Sequence, residues 1–261
     1  MRKSIALLIL IYLSFILLFS LSGIGGFVGE VLYFSAFILP AALGLIFAAK
    51  NQGVTSISVR KERLLPSFAL FAPTIAVIIS ISAITSYLLS LIGKSNITDM
   101  SGDFWLVLLR HALLPALLEE MLFRYLPSRL LAPRSSRAFM LISPLLFALI
   151  HLNIFQIPYA IFAGGVLALL TLSTGSILPA VLLHFINNAL SVIWMRNPEF
   201  TLPIIIAVAV LAAMSLVYIL VCRREYARWI REAFSGERVG FPVELAAVSL
   251  ILVAAAIFNL R

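Results

Sequence analysis

Five ionisable side chains lie within strongly apolar stretches of the sequence, where hydrocarbon should exclude them unless they perform a function. They are Glu119, Glu120, Arg124, His151 and His184. A charged side chain at the centre of a bilayer costs roughly 2.5–3.5 kcal/mol on insertion scales, so an ionisable group inside a membrane span indicates a functional site. All five fall within three predicted spans, the fourth, fifth and seventh. We therefore expect them to contribute to one site.

The two neighbouring glutamates of the fourth span face different directions. Glu120 and Arg124 are four residues apart on one helix face and can form an ion pair, which lowers the cost of both charges. Glu119 is rotated about 100° from Glu120 and has no such partner in its own helix. A carboxylate that faces a cavity is suited to act as a general base. The Glu120–Arg124 pair alone is equally well explained as a helix-packing element.

The histidines come from two later spans. His151 ends the sequence F-A-L-I-H of the fifth span, and His184 and Asn188 are four residues apart on one side of the seventh. With each helix midpoint at the bilayer centre and a rise of 1.5 Å per residue, Glu119, His151, His184 and Asn188 all fall within about 8 Å of the midplane. Three antiparallel helices therefore place these groups in one layer.

A carboxylate, two imidazoles and an amide can together hydrolyse an acyl bond without a covalent intermediate. The carboxylate and one imidazole can position and deprotonate water, and the second imidazole and the amide can donate hydrogen bonds to a developing oxyanion. The sequence contains no H-E-x-x-H and no G-x-S-x-G motif. Asp99 and Asp103 lie in a predicted outer loop, which argues against an aspartyl dyad.

The elements that must position these groups are membrane helices. The chain has 261 residues, of which 62% are hydrophobic and 11% charged, whereas soluble proteins have roughly 25% charged residues. This composition predicts an all-α, polytopic transmembrane bundle with eight or nine spans, forming a single membrane domain over residues 1–261. The predicted spans are residues 4–22, 27–49, 66–92, 104–127, 138–154, 157–173, 177–195, 202–221 and 242–259.

The distribution of basic residues predicts the orientation, because cytoplasmic loops collect Lys and Arg. With nine spans and a cytoplasmic N-terminus, the inner segments hold 14 basic residues and the outer segments three. The net charge of +8 is therefore explained by topology, and we expect no nucleic-acid partner. The single cysteine, Cys222, excludes a disulfide framework and a zinc site built from cysteines.

Three motifs in order resemble those of the CAAX protease and bacteriocin-processing family, which includes the type II CAAX prenyl endopeptidases. They are E-E-M-L-F-R at 119–124, F-A-L-I-H at 147–151 and H-F-I-N-N at 184–188, similar to the family's EExxxR, FxxxH and HxxxN. The resemblance covers residues 103–196, which we take as the catalytic core. Each motif alone is weak, but the three together on membrane spans are specific.

The resemblance implies a glutamate-type intramembrane endopeptidase that cleaves a lipidated, CAAX-type prenylated or membrane-embedded peptide. It implies that Glu119 is the base, that His151 helps to orient water and that His184 and Asn188 form the oxyanion hole. Glu120 and Arg124 match the family's supporting pair. We expect no cofactor. The alternative is a zinc ion bound by Glu119, His151 and His184, a set of ligands that zinc enzymes use.

Two other classes of function remain open. A catalytically idle member would serve as a membrane scaffold or peptide-immunity factor, and a proton-coupled transporter would use Glu119 and the histidines as a relay. The expected partners are a membrane-associated peptide or protein substrate and the lipid bilayer. We expect an integral, multi-pass protein in the plasma membrane of a prokaryote.

Overall fold

The computed structural model describes residues 2–21, 26–50, 58–91 and 100–236, together with 246–247, 249–250 and 252–254. These residues are largely helical, and none of them forms a strand. The predicted all-α polytopic helical bundle is confirmed. We number the helices α1 (Arg2–Leu21), α2 (Gly26–Lys50), α3 (Lys61–Leu91), α4 (residues 104–130), α5 (Ser136–Leu149), α6 (Ile157–Thr174), α7 (Leu178–Arg196), α8 (Thr201–Val221) and α9 (Arg223–Ala233).

Helix α4 lies at the centre of the packing. It contacts α2, α5, α6 and α7, while α1 packs along α2 and α3 packs along α8. Helix α6 contacts α3, α5 and α7 as well. The three helices that carry the sequence motifs are α4, α5 and α7. Helix α4 contacts the other two, and α6 packs against all three.

Five helices of the described chain are long and apolar enough to cross a membrane: α2, α3, α6, α7 and α8. The apolar parts of α1 and α5 are shorter, and most of the predicted span 242–259 lies outside the described residues. The number of spans therefore stays a prediction. The fifth predicted span continues to residue 154, whereas α5 ends at Leu149 and residues 150–151 form a turn. At 1.5 Å per residue, α5 is about 21 Å long, less than the roughly 30 Å of a hydrocarbon core.

Two π turns interrupt α4, at Leu109–Leu113 and Met121–Tyr125. A proline follows each turn within two residues, and proline cannot donate a hydrogen bond to the carbonyl four residues earlier. For Pro127 that carbonyl belongs to Phe123, and the Ser143 hydroxyl of α5 donates to it at 2.5 Å. Single π turns occur frequently at functional sites. Here the second turn directly follows the adjacent glutamates and contains Arg124.

Aromatic rings fill the space between α1, α2 and α4. Tyr12 and Phe15 are almost fully buried and contact Phe123, at ring-centroid distances of 5.2 and 6.0 Å. Phe15 also packs edge to face on Phe37, at 4.9 Å. Such pairs contribute about 0.5–1.5 kcal/mol beyond the burial of their surface. This cluster packs α4 against α1 and α2.

Helix α9 lies outside the membrane spans and packs against the ends of α5 and α6. Tyr226 and Trp229 form its buried face, and Glu232 accepts hydrogen bonds from Arg63 of α3 at 2.7 and 3.1 Å. The hydrogen bond from Arg63 lowers the pKa of the Glu232 carboxyl below its usual value. Because Glu232 is 40% exposed, the pair is screened by solvent and contributes about 0–1 kcal/mol.

Candidate active site

A cavity of about 530 Å³ opens among α2, α3, α4, α6 and α7. Its wall includes all four residues that the sequence predicts as catalytic, Glu119, His151, His184 and Asn188. Segments more than 60 residues apart in sequence thus meet at one site. The two predicted supporting residues, Glu120 and Arg124, lie behind this wall and do not line the cavity.

Glu119 and Glu120 have the different environments that the helical geometry predicts. Glu120 and Arg124 are fully buried, and Arg124 Nη1 donates to Glu120 Oε1 at 2.9 Å. The side chain of Glu119 is 11% exposed, and it reaches the cavity. Within the described chain, no arginine forms an ion pair with Glu119. Of the two carboxylates, only Glu119 is placed to meet a substrate or water.

His184 bridges the two glutamates. Its Nδ1 lies 2.9 Å from Glu120 Oε1, and its Nε2 lies 3.8 Å from Glu119 Oε2. A carboxylate only accepts, so the ring donates from Nδ1 and turns Nε2 towards Glu119. Glu120 accepts from both His184 and Arg124 through the same oxygen, Oε1. The Glu120–Arg124 pair therefore fixes the orientation of a cavity-lining imidazole as well as packing α4.

His151 is oriented by the backbone of its own motif. Its Nδ1 lies 2.8 Å from the carbonyl oxygen of Phe147, and a carbonyl only accepts, so this nitrogen carries the proton. In the neutral ring Nε2 is then an acceptor, able to take a hydrogen bond from water. His151 lies in the turn after α5, contrary to its predicted place inside the fifth span.

Asn188 is oriented by its neighbour Asn187, which also lines the cavity. The Asn187 side-chain amide donates to Asn188 Oδ1 at 3.2 Å. This contact occupies the oxygen of Asn188 and leaves its amide group as the donor available to the cavity. Asparagine oxygen and nitrogen positions are assigned from the hydrogen-bond network, and here the assignment makes Asn188 a donor.

Phe147 contacts three of the polar groups at once. Its ring packs edge to face on His151 at 5.0 Å and on His184 at 5.7 Å, and the Arg124 guanidinium lies over it at 4.1 Å. A cation over an aromatic face contributes about 2 kcal/mol or more when it is desolvated. The phenylalanine of F-A-L-I-H therefore positions both imidazoles and shields the buried ion pair.

The rest of the cavity wall comes from helices that the motifs do not include. Tyr33 of α2 contributes, as do four hydroxyl residues of α3, Thr74, Ser82, Thr85 and Ser86. These residues belong to ordinary apolar spans, and only their side-chain polarity could have suggested a cavity. The predicted core, residues 103–196, is therefore not the whole of the cavity wall.

The zinc alternative stays a prediction, one that the described chain does not support. No three His, Cys, Asp or Glu side chains among the described residues form a group that could hold a metal ion. The acceptors on Nδ1 of His151 and His184 are of the kind that orient metal ligands. We derive no step through a metal.

A close helix contact at Gly164 supports the ion pair and leads to a prediction. A Cβ at this position of α6 would lie 3.0 Å from Pro144 Cα, 3.1 Å from Arg124 Nη2 and 3.2 Å from the Phe147 ring. We expect Gly164→Ala to destabilise the protein by about 1–3 kcal/mol, as overpacking does. Thermal denaturation of the purified protein in detergent would measure the loss.

The adjacent Gly165 is a matched control for this prediction. A Cβ there would meet nothing within 4 Å. We expect Gly165→Ala to be neutral or to stabilise α6 by up to about 1 kcal/mol, because alanine has the higher helix propensity. Equal melting temperatures for the two variants would show that α4, α5 and α6 are less closely packed than the distances indicate.

The fold and the cavity together define an integral membrane protein with a polar, carboxylate-containing site inside a helical bundle. Residues 101–190 match the family model described as type II CAAX prenyl endopeptidase Rce1-like. Over these residues the resemblance predicted from the three motifs is confirmed, and the matched family is one of CAAX-type proteases, hydrolases of peptide bonds. Searches of curated proteins and of solved structures find no match.

Proposed function

We propose that this protein is an intramembrane endopeptidase that hydrolyses a peptide bond in a prenylated CAAX-type or membrane-embedded substrate. The observation that carries this proposal is the meeting of Glu119, His151, His184 and Asn188 on the wall of one cavity. The orientation of each ring and amide by a separate partner supports it further, since preorganised donors and acceptors are what catalysis of acyl transfer requires.

In the proposed first step, Glu119 removes a proton from a water molecule whose other hydrogen is donated to Nε2 of His151. The water oxygen attacks the scissile carbonyl carbon, and the carbonyl π electrons move to its oxygen. The Asn188 amide donates to this oxyanion. His184 adds a second hydrogen bond from Nε2 when its ring is an imidazolium, since both nitrogens then donate.

In the second step the oxyanion collapses and the carbon–nitrogen bond breaks. Glu119 returns its proton to the leaving nitrogen, which departs as an amine, and the carboxylate is regenerated. No covalent enzyme intermediate forms. One water molecule is consumed, and the four side chains end the cycle unchanged. The charge on Glu120 stays paired with Arg124 throughout, so that His184 keeps its orientation through both steps.

The proposal also includes the expected domain organisation, location and metal independence of the protein. The protein forms a single membrane domain whose catalytic core is 103–196, its membrane is the plasma membrane of a prokaryote, and its mechanism needs no metal. The match at 101–190 supports the position of the core. The apolar side chains of the wall, among them Ile78, Leu89 and Phe155, suit a substrate that carries a lipid or an apolar peptide.

Cleavage of a farnesylated CAAX reporter peptide by detergent-purified protein tests the proposal. We expect the wild type to release the carboxyl-terminal fragment, a strong zinc chelator to leave the rate unchanged, and His184→Ala to lower it by about 10²–10³-fold, the range for loss of one oxyanion donor. Loss of activity with the chelator, and its return when zinc is added, would show that the enzyme needs zinc and would contradict the metal-free mechanism. If the wild type releases no product and cells that carry His184→Ala keep the wild-type phenotype, the catalytically idle scaffold would be favoured.

A further inference from the structure

One cation belongs to the cavity and has no part in the mechanism above. Arg110 lies on the same wall as Glu119, in the first π turn of α4. Among the described residues that line the cavity, it is the sole Lys or Arg. Its side chain is 58% exposed, so the side chain is accessible to an incoming group.

Glu30 of α2 holds Arg110 in place from one side. Arg110 Nη2 lies 2.6 Å from Glu30 Oε1. A guanidinium has five N–H donors in a planar fork, and this contact with a single nitrogen leaves other donors for a second acceptor. Guanidinium groups recognise carboxylates by paired, charge-assisted hydrogen bonds. The expected ligand is therefore an anionic, planar group carried by the substrate.

The separation between Arg110 and Glu119 suggests which carboxylate this is. The nine-residue offset along α4 corresponds to about 13 Å at 1.5 Å per residue, and helical side chains lean towards the N-terminus, which carries the guanidinium a few Å further. Three extended residues span about 10 Å, and a hydrogen bond of about 3 Å at each end extends the reach to about 16 Å. A CAAX segment has three residues after its cysteine.

We propose that Arg110, oriented by Glu30, binds the carboxyl-terminal carboxylate of the substrate and thereby places the bond three residues earlier beside Glu119. This inference rests on the proposed function and adds a specificity subsite to it. The subsite selects substrates with a free C-terminus at a fixed distance from the cleaved bond. Internal peptide bonds of a longer chain have no carboxylate at that distance and are cleaved poorly.

Two farnesylated reporters that differ only at the C-terminus test the proposal, one ending in a free acid and the other in an amide. We expect the wild type to cleave the acid with a KM about 10- to 100-fold lower than that for the amide, the range expected for a hydrogen bond to a charged group. Arg110→Gln should lose this preference, and Arg110→Lys should keep part of it. Arg196→Gln removes a cation outside the cavity wall and should leave the preference unchanged.

Glu30→Gln gives a second readout of opposite sign. The amide can still accept from Arg110, but the negative charge that repels a substrate carboxylate is gone. We expect the KM for the acid reporter to fall by about threefold, with no change for the amide reporter. Equal cleavage of both reporters by the wild type, or a preference that persists in Arg110→Gln, would overturn the subsite and leave the endopeptidase intact. Cleavage of neither reporter would overturn the subsite together with the prenylated CAAX-type substrate of the proposed function.

Discussion

Glu119→Gln should reduce kcat for reporter cleavage by about 10³–10⁴-fold while the protein still folds and inserts. Proton transfer by a positioned side chain contributes about 10²–10⁴-fold, and in the proposed mechanism Glu119 both removes the proton from water and returns it to the leaving nitrogen. Glutamine has nearly the same shape but cannot accept that proton. Because the side chain of Glu119 is 11% exposed and has no arginine partner in the described chain, the substitution should change the melting temperature little.

A glutamate far from the cavity provides the matched control. Glu225 lies partly exposed on α9, and Glu225→Gln removes the same charge without touching the cavity wall. Rates for both variants and the wild type, measured with the same reporter and normalised to folded protein, separate the loss of the base from a general effect of charge. Residual cleavage of more than about one tenth in Glu119→Gln would show that another group is the base.

Helical periodicity was sufficient to assign the two adjacent glutamates to different faces. A rotation of about 100° between neighbours correctly separates Glu119, on the cavity wall, from Glu120, in the buried ion pair. The same periodicity places His184 and Asn188 on one side of α7, and both line the cavity. These relations are local, so a sequence determines them before any packing is known. The catalytic roles assigned to these residues stay predictions.

The partners that orient the site could not be read from the sequence, because each depends on packing or on a local break in a helix. The bond from His184 to Glu120 joins residues 64 apart, and no periodicity relates α4 to α7. The end of α5 at Leu149 places His151 in a turn, whereas its apolar neighbours continue a span-like pattern. Hydropathy reports the apolar surroundings of a residue, and it is insensitive to whether the backbone there is helix or turn.

The π turns of α4 are a further feature that the apolar pattern hides. The two prolines of the span, Pro115 and Pro127, indicate a disturbed helix, but a kink and a π turn are equally consistent with them. The Ser143 hydroxyl of α5 donates to the carbonyl of Phe123, a contact between helices that the apolar pattern does not indicate. In the irregular helix Arg124 Nη1 still lies 2.9 Å from Glu120 Oε1.

Arg124→Met should destabilise the protein by about 3–5 kcal/mol, the largest effect on stability that the structure indicates. Arg124 and Glu120 are both fully buried, and removing one partner of a buried pair leaves the other charge uncompensated. Methionine keeps much of the side-chain length and its contact with Phe147. We expect a large fall in melting temperature in detergent, together with loss of cleavage, because Glu120 would then have only His184 as a polar partner among the described residues.

The double variant Glu120→Gln/Arg124→Met separates the charge from the packing. If the penalty in Arg124→Met comes from an unpaired carboxylate, neutralising that carboxylate should restore much of the stability, since replacing both members of a buried pair is often close to neutral. Activity should stay low, because a neutral glutamine amide orients His184 less firmly than a carboxylate does. Arg63→Met, at the partly exposed pair with Glu232, should cost only about 0–1 kcal/mol. Similar losses for Arg124→Met and the double variant would mean that the packing of the guanidinium on Phe147, and not its charge, stabilises this part of the bundle.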